Sequence, residues 1–291
     1  MSGLKERWQD LAELDQVELA NPDLVTPFKV ALGIVLPFCR ERAGQIIGSA
    51  FLLIMIWGYH GELQVLRAIW PAFAAPGFDL FAGLAWDRQL MGFLGGAVLL
   101  VLVPVLLIKL AYREPLAWYG LGFPPAGRRR LAFIGFLILM GLGAVAAFGG
   151  SRYPSMQETY PLYRDFASVE MFLLYELSYF PFFLAIEFIF RGYLLFGLAG
   201  ATATGVGVSG PFTFHRYALL IQMLGYTAWH LGKPLPELWG TVVWGLFAGA
   251  IAYTARSLWP AILAHWLFNV AMDWQILVKT GEWARILAGG R

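Results

Sequence analysis

A chain of 291 residues that is 59% hydrophobic and 14% charged, against roughly 25% charged in an ordinary soluble domain, cannot hide its apolar side chains in one soluble core. A net charge of +2, with no basic stripe interleaved with aromatics, excludes a nucleic-acid binder. The single cysteine, Cys39, excludes an internal disulfide.

The first 24 residues mix Glu6, Arg7, Asp10, Glu13 and Asp15 and lack the basic-then-apolar layout of a cleavable signal. Residues 1–43 therefore read as a polar N-terminal arm with an interfacial segment, and 44–291 as a single membrane domain. Apolar runs near the ~20 residues needed to cross ~30 Å of hydrocarbon recur at 44–60, 90–111, 131–150, 171–199, 211–232, 236–255 and 258–276. An eighth candidate, 66–86, carries Pro71, Pro76 and Asp79, which favour an interfacial or re-entrant segment over a continuous span. The expected fold is all-α, a polytopic transmembrane helical bundle of seven or eight spans in an integral, multi-pass protein.

Lys109, Arg113 and Arg128 to Arg130 flank the loop between the runs 90–111 and 131–150, and the positive-inside rule assigns that loop to the cytoplasm. Threading onward puts Arg256 inside and Lys233 outside, with a cytoplasmic N-terminus if 66–86 does not span. Pro211, Pro236 and Pro260 each open an apolar run, where the missing amide hydrogen costs nothing. Pro181 lies inside the run 171–199, and a kink is expected there.

A charge at a helix centre costs roughly 2.5–3.5 kcal/mol on insertion scales, so intramembrane charges call for a partner or a function. They gather in the C-terminal half: Glu176, Glu187 and Arg191 in 171–199; His215, Arg216 and His230 in 211–232; His265, Asn269 and Asp273 in 258–276. Nothing comparable occurs in 90–111 or 131–150 beyond the basic residues at their ends. Glu187 and Arg191 are four apart on one helix face, as are His265 and Asn269. Each pair alone is also explained by ion pairing within a helix or hydrogen bonding between helices. His215 and Arg216 read as snorkelling side chains near a helix start. Glu237 follows Pro236 at a helix start, where the dipole favours a carboxylate, and that is its expected explanation.

Taken in order, Ile186-Glu187-Phe188-Ile189-Phe190-Arg191, Tyr226 to His230, and His265 to Asn269 resemble the three core-helix motifs of the CPBP intramembrane protease family. This is the Abi or type II CAAX prenyl endopeptidase family, with Glu-Glu-x-x-x-Arg, Phe-x-x-x-His and His-x-x-x-Asn/Asp. The resemblance covers 171–276. It implies an intramembrane endopeptidase hydrolysing a peptide bond of a membrane-associated or lipidated substrate by glutamate- and histidine-activated water. The implied catalytic residues are Glu187, His230, His265 and Asn269, with Arg191 and Tyr226 in support. Two positions depart from the pattern: Tyr226 replaces the usual Phe, and Ile186 replaces the first glutamate. In the family that glutamate and the second-motif His activate water, while the third-motif His and Asn hold the oxyanion. Glu187 is rotated about 100° from Ile186 on an ideal helix, and Glu176 lies about 16 Å from Glu187 along the axis, so neither replaces it directly.

The expected partners are membrane lipids and a peptide or lipidated-protein substrate. No cofactor is favoured. Glu187, His230 and His265 also make a recognised zinc set with an open position, which keeps zinc as an alternative. Two other functions stay open: a non-catalytic relative that binds a peptide, lipid or protein in the polar cavity, for which Ile186 speaks, and a transporter using the same charges as a relay. Counted from Pro211, His230 lies about 28 Å along its helix, whereas His265 lies about 14 Å beyond Arg256. A shared site therefore requires tilting, a shortened helix or a re-entrant start.

Overall fold

The computed structural model describes residues 25–60, 84–199 and 217–289, and the regular elements among them are all helical. In chain order they are α1 (Thr26–Arg40), α2 (Arg42–His60), α3 (Gln89–Tyr112), α4 (Ala126–Gly150), α5 (Pro154–Thr159), α6 (Val169–Ala199), α7 (Ala218–Trp229), α8 (Leu235–Ala255), α9 (Trp259–Lys279) and α10 (Glu282–Leu287). Five of these, α3, α4, α6, α8 and α9, are long and apolar enough to cross a membrane. They make the chain an integral membrane protein. Two further apolar helices, Arg42–Gly58 and α7, are shorter. Most of the candidate 66–86, the loop 200–210, and His215 and Arg216 fall outside the described residues.

Met1–Gly48 and Ser49–Arg291 are separate compact units. In the first, α1 leaves Phe28, Leu32, Val35 and Leu36 exposed. The second holds the long helices, and α6 is its centre: most of α6 is buried, whereas α3, α4, α8 and α9 each keep a largely exposed face. Ser168 starts α6 by accepting the Met171 amide at 3.3 Å. The helix continues through Pro181, and the departure from α geometry comes later, in a π-helical stretch over Phe188–Phe196. A π turn is wider than an α turn. Every residue of that stretch, Arg191 included, is buried.

α4 packs against α9 and α8 through small residues. A Cβ at Gly135 would stand 2.5 Å from Ile251, one at Gly143 3.0 Å from Phe268, and one at Gly150 2.7 Å from Met272. Such absences let helix backbones approach where lipid supplies no hydrophobic drive between them. Ala147, Met156, Met272 and Ile276 form a buried cluster on which Tyr160 and Phe268 pack, so the segment after α4 is held against α9. That clamp brings Tyr160 into the site.

α7 is where the expected layout changes. Its described helix has only 12 residues, about 18 Å of rise, which does not cross ~30 Å of hydrocarbon. His230 caps its C-terminal end. The depth mismatch between His230 and His265 is thus reduced by a short α7.

Candidate active site

Three helix faces converge. On α9, whose first turn accommodates Pro260, His265 and Asn269 lie one turn apart and Asp273 one turn further. On α8, Glu237, Thr241 and Trp244 follow the i, i+4, i+7 stripe. On α6, Glu187 sits where the α-helix passes into the π stretch.

Glu187 and Arg191 are both fully buried, with Arg191 Nε 3.4 Å from Glu187 Oε2. The other carboxylate oxygen accepts a 2.7 Å hydrogen bond from His265 Nδ1 and a 3.3 Å bond from Trp244 Nε1. The Arg191 guanidinium lies 4.1 Å over the Tyr226 ring, a cation–π contact that adds to the compensation of a desolvated charge. Because Nδ1 of His265 donates to Glu187, the ring presents Nε2 to Tyr226, whose hydroxyl lies 3.5 Å away.

His265, His230, Asn269 and Tyr226 all line one cavity of about 740 Å³, walled by Phe93, Tyr179, Phe182, Trp229 and Trp244. Ile186 lines it too, whereas Glu187 and Arg191 do not. Glu187 therefore meets the cavity through the His265 ring.

His230 Nδ1 lies 2.8 Å from the Tyr226 carbonyl. A carbonyl only accepts, so Nδ1 carries hydrogen and Nε2 is left to face outward. A tight turn follows, in which Gly232 takes a φ of +90°, a conformation that glycine adopts without cost. The turn folds the start of α8 back against His230, setting Glu237 Oε1 3.6 Å from His230 Nε2. The Tyr160 hydroxyl lies 2.9 Å from both Glu237 oxygens and accepts from Lys233 Nζ at 3.3 Å. Desolvation and the adjacent carboxylate push the Tyr160 phenol well above its ordinary pKa, so it remains a donor at neutral pH.

Asn269 directs its amide nitrogen away from the histidines, 3.2 Å from Glu176 Oε2 and 3.3 Å from Asp273 Oδ2. Glu176, eleven residues before Glu187, thus meets α9 instead of filling the position of the absent first glutamate.

Among the sequence-derived residues, Glu187, Arg191, Tyr226, His230 and His265 form one connected group, and Asn269 lines the same cavity while bonding Glu176 and Asp273. Glu237, Tyr160 and Trp244 join it without having been singled out as part of a site. Glu237 had a sufficient local explanation in the helix dipole, and only its closeness in sequence to His230 hinted at more. Among the described residues no group of three or more His, Cys, Asp or Glu is placed to hold a metal ion.

Residues 169–271 match the family model of type II CAAX prenyl endopeptidase Rce1-like proteins. Over that segment the match supports membership of that family. No curated protein and no solved structure matches it. The matched segment opens within the first turn of α6, ends just past Asn269, and contains Glu187, Arg191, Tyr226, His230, Glu237, Trp244, His265 and Asn269 but not Tyr160. The match supports a membrane endopeptidase of the CAAX-protease type in general.

Proposed function

We propose that this Rce1-like protein hydrolyses a peptide bond of a membrane-associated or prenylated substrate, with His230 on the water side and His265 on the oxyanion side of the scissile carbonyl. The supporting observation is that these two histidines, from different helices, open on one aromatic-walled cavity while a buried Glu187–Arg191 pair anchors the second of them. Apolar walls suit a lipidated chain, and a few fixed polar groups orient it. Attack of water on the carbonyl carbon places negative charge on oxygen, which needs donors aimed at it beforehand.

A carboxylate on Nδ1 holds the imidazole in one orientation, as in hydrolase triads, and the oxyanion role requires the ring that also carries hydrogen on Nε2. His265 in that form, with the Tyr226 hydroxyl beside it, supplies the oxyanion donors. Asn269 acts behind them, tying α9 to α6 through Glu176. Glu187 and Arg191 act through His265 and Tyr226. The reading uses no metal: the Glu187 carboxylate is occupied by His265 Nδ1, Trp244 and Arg191.

The test is hydrolysis of a quenched-fluorescent peptide ending in a farnesylated CAAX sequence by the purified protein, with the cut mapped by mass spectrometry. Cleavage at one bond supports the reading. Saturable binding of the same peptide without turnover contradicts it and favours the non-catalytic binding protein, for which Ile186 in the cavity wall is the specific observation.

A further inference from the structure

Glu237 is the one carboxylate among the described residues that line the cavity. Glu176, Glu187 and Asp273 are buried behind the wall, and their oxygens face Asn269, His265, Trp244 and Arg191. Ile186 offers the cavity nothing that accepts a proton. Among the described residues, a base working inside this cavity therefore comes from α8 or from a histidine.

His230 Nε2 and Glu237 Oε1 both accept when the imidazole is neutral, yet they face each other at 3.6 Å. That is beyond the range of a direct hydrogen bond. Two acceptors so placed are reconciled by a species that donates to both, and a water molecule does so with its two O–H bonds. The surroundings hold the carboxylate at this distance: Tyr160 bonds both its oxygens, Lys233 donates to Tyr160, and Thr241 and Trp244 continue the same face of α8 into the cavity. Among the described residues, the charged or titratable groups around Glu237 are His230, Tyr160, Lys233, Tyr179 and Tyr226, and none of them is a second carboxylic acid.

We infer that Glu237 is the catalytic carboxylate of this site, holding the attacking water jointly with His230 and taking its proton. The inference rests on the peptidase reading. In the step, the water oxygen bonds to the scissile carbonyl carbon, its proton passes to Glu237, and the carbonyl π pair moves to the oxygen facing His265. On collapse the C=O re-forms, the C–N bond breaks, and the proton on Glu237 goes to the leaving amine. The acid then returns to its starting state, and no oxidant, reductant or other co-reactant is needed. The chain has in effect moved its carboxylate from α6 to the first turn of α8, where the Gly232 turn brings it to the same histidine.

The test compares wild type with Glu237→Gln, Glu237→Asp and the double variant Ile186→Glu/Glu237→Gln on the farnesylated CAAX peptide. Glu237→Gln keeps the shape and a hydrogen-bonding partner for Tyr160. It is expected to lose kcat by roughly 10²–10⁴-fold, the contribution of a general base, with KM within about threefold and an unchanged melting temperature. Glu237→Asp retains a fraction of the activity, and Ile186→Glu recovers at least tenfold in the Gln background by returning a carboxylate to the α6 wall. Glu237→Gln with more than half of wild-type kcat, while His230→Ala is inactive, overturns the assignment and leaves the peptidase reading standing. A wild type that binds the peptide without cutting it overturns both. If Glu237→Gln unfolds, Glu237→Asp decides: full activity overturns the assignment, and reduced kcat at unchanged KM sustains it.

Discussion

Nδ1 of His265 lies 2.7 Å from Oε1 of Glu187, although 78 residues separate them. The bond links the two helices that carry the first and third motifs, and it gives a buried carboxylate two jobs: it neutralises Arg191 and it fixes the orientation of His265. The two jobs separate by mutation. Glu187→Ala leaves Arg191 buried without its counter-charge and is expected to cost about 3–5 kcal/mol. The double variant Glu187→Leu/Arg191→Leu removes both charges and is expected to regain most of the melting temperature. It stays at least tenfold below wild type in kcat because His265 has lost its anchor. Thermal unfolding in detergent, with peptidase assays on the same preparations, checks this. A double variant restored in both respects shows that Glu187 has no role beyond charge balance.

Tyr226 stands where the family pattern has Phe, and its hydroxyl approaches His265 Nε2 at 3.5 Å while its ring carries the Arg191 contact. Tyr226→Phe keeps the ring and removes the donor. Stability is expected to hold, and kcat to fall on the order of 10²-fold, as for loss of one oxyanion donor. Unchanged kcat removes Tyr226 from the oxyanion site.

Much of this arrangement is legible in the residues. The helical class and the cost of Glu187 and Arg191 in an apolar run follow from composition, and the three motifs are read through their resemblance to the family pattern. Three features are not legible there. The pairing of Glu176 with Asn269 joins residues 93 apart and depends on how α6 and α9 cross. The approach of Trp244 to Glu187 depends likewise on α8 packing against α6. Glu237 is seven residues from His230 but reaches it only because the chain reverses at Gly232, a geometry without the helical periodicity that spacing arguments use. The π stretch after Glu187 leaves no periodic trace either, since Phe188 to Phe196 is apolar on nearly every side.

The orientation proposed from Arg113 and Arg128 to Arg130 puts the loop between α3 and α4 in the cytoplasm and the segment 151–168 on the opposite side. In a Cys39→Ser background, Glu158→Cys is expected to react with a membrane-impermeant maleimide in intact cells. Arg129→Cys is expected to react only after permeabilisation. Both positions are exposed. The reverse pattern inverts the topology and the side from which the site is reached.

Metal dependence separates the proposed chemistry from the zinc alternative built on Glu187, His230 and His265. Peptide hydrolysis is expected to survive prolonged incubation with a membrane-permeant chelator. Elemental analysis of active protein is expected to find less than one zinc per ten chains. Loss of activity on chelation that returns with zinc makes the histidines ligands instead.

Close packing of α4 on α9 supports the whole site, and at Gly143 an added Cβ would stand 3.0 Å from Phe268 of the helix that bears His265. Gly143→Val is expected to lower stability by about 1–3 kcal/mol through overpacking against Phe268. A neutral result in thermal unfolding shows that α4 and α9 can separate at no cost.

The measurement that bears most directly on the site is kcat/KM of His230→Ala beside wild type on the farnesylated CAAX peptide, with folding monitored in the same samples. The expected result is a fold that persists and a kcat/KM reduced at least 10²-fold, as removal of a proton-transfer residue requires. A folded His230→Ala protein that cuts the peptide at the wild-type rate contradicts the assignment of this cavity as the hydrolytic site.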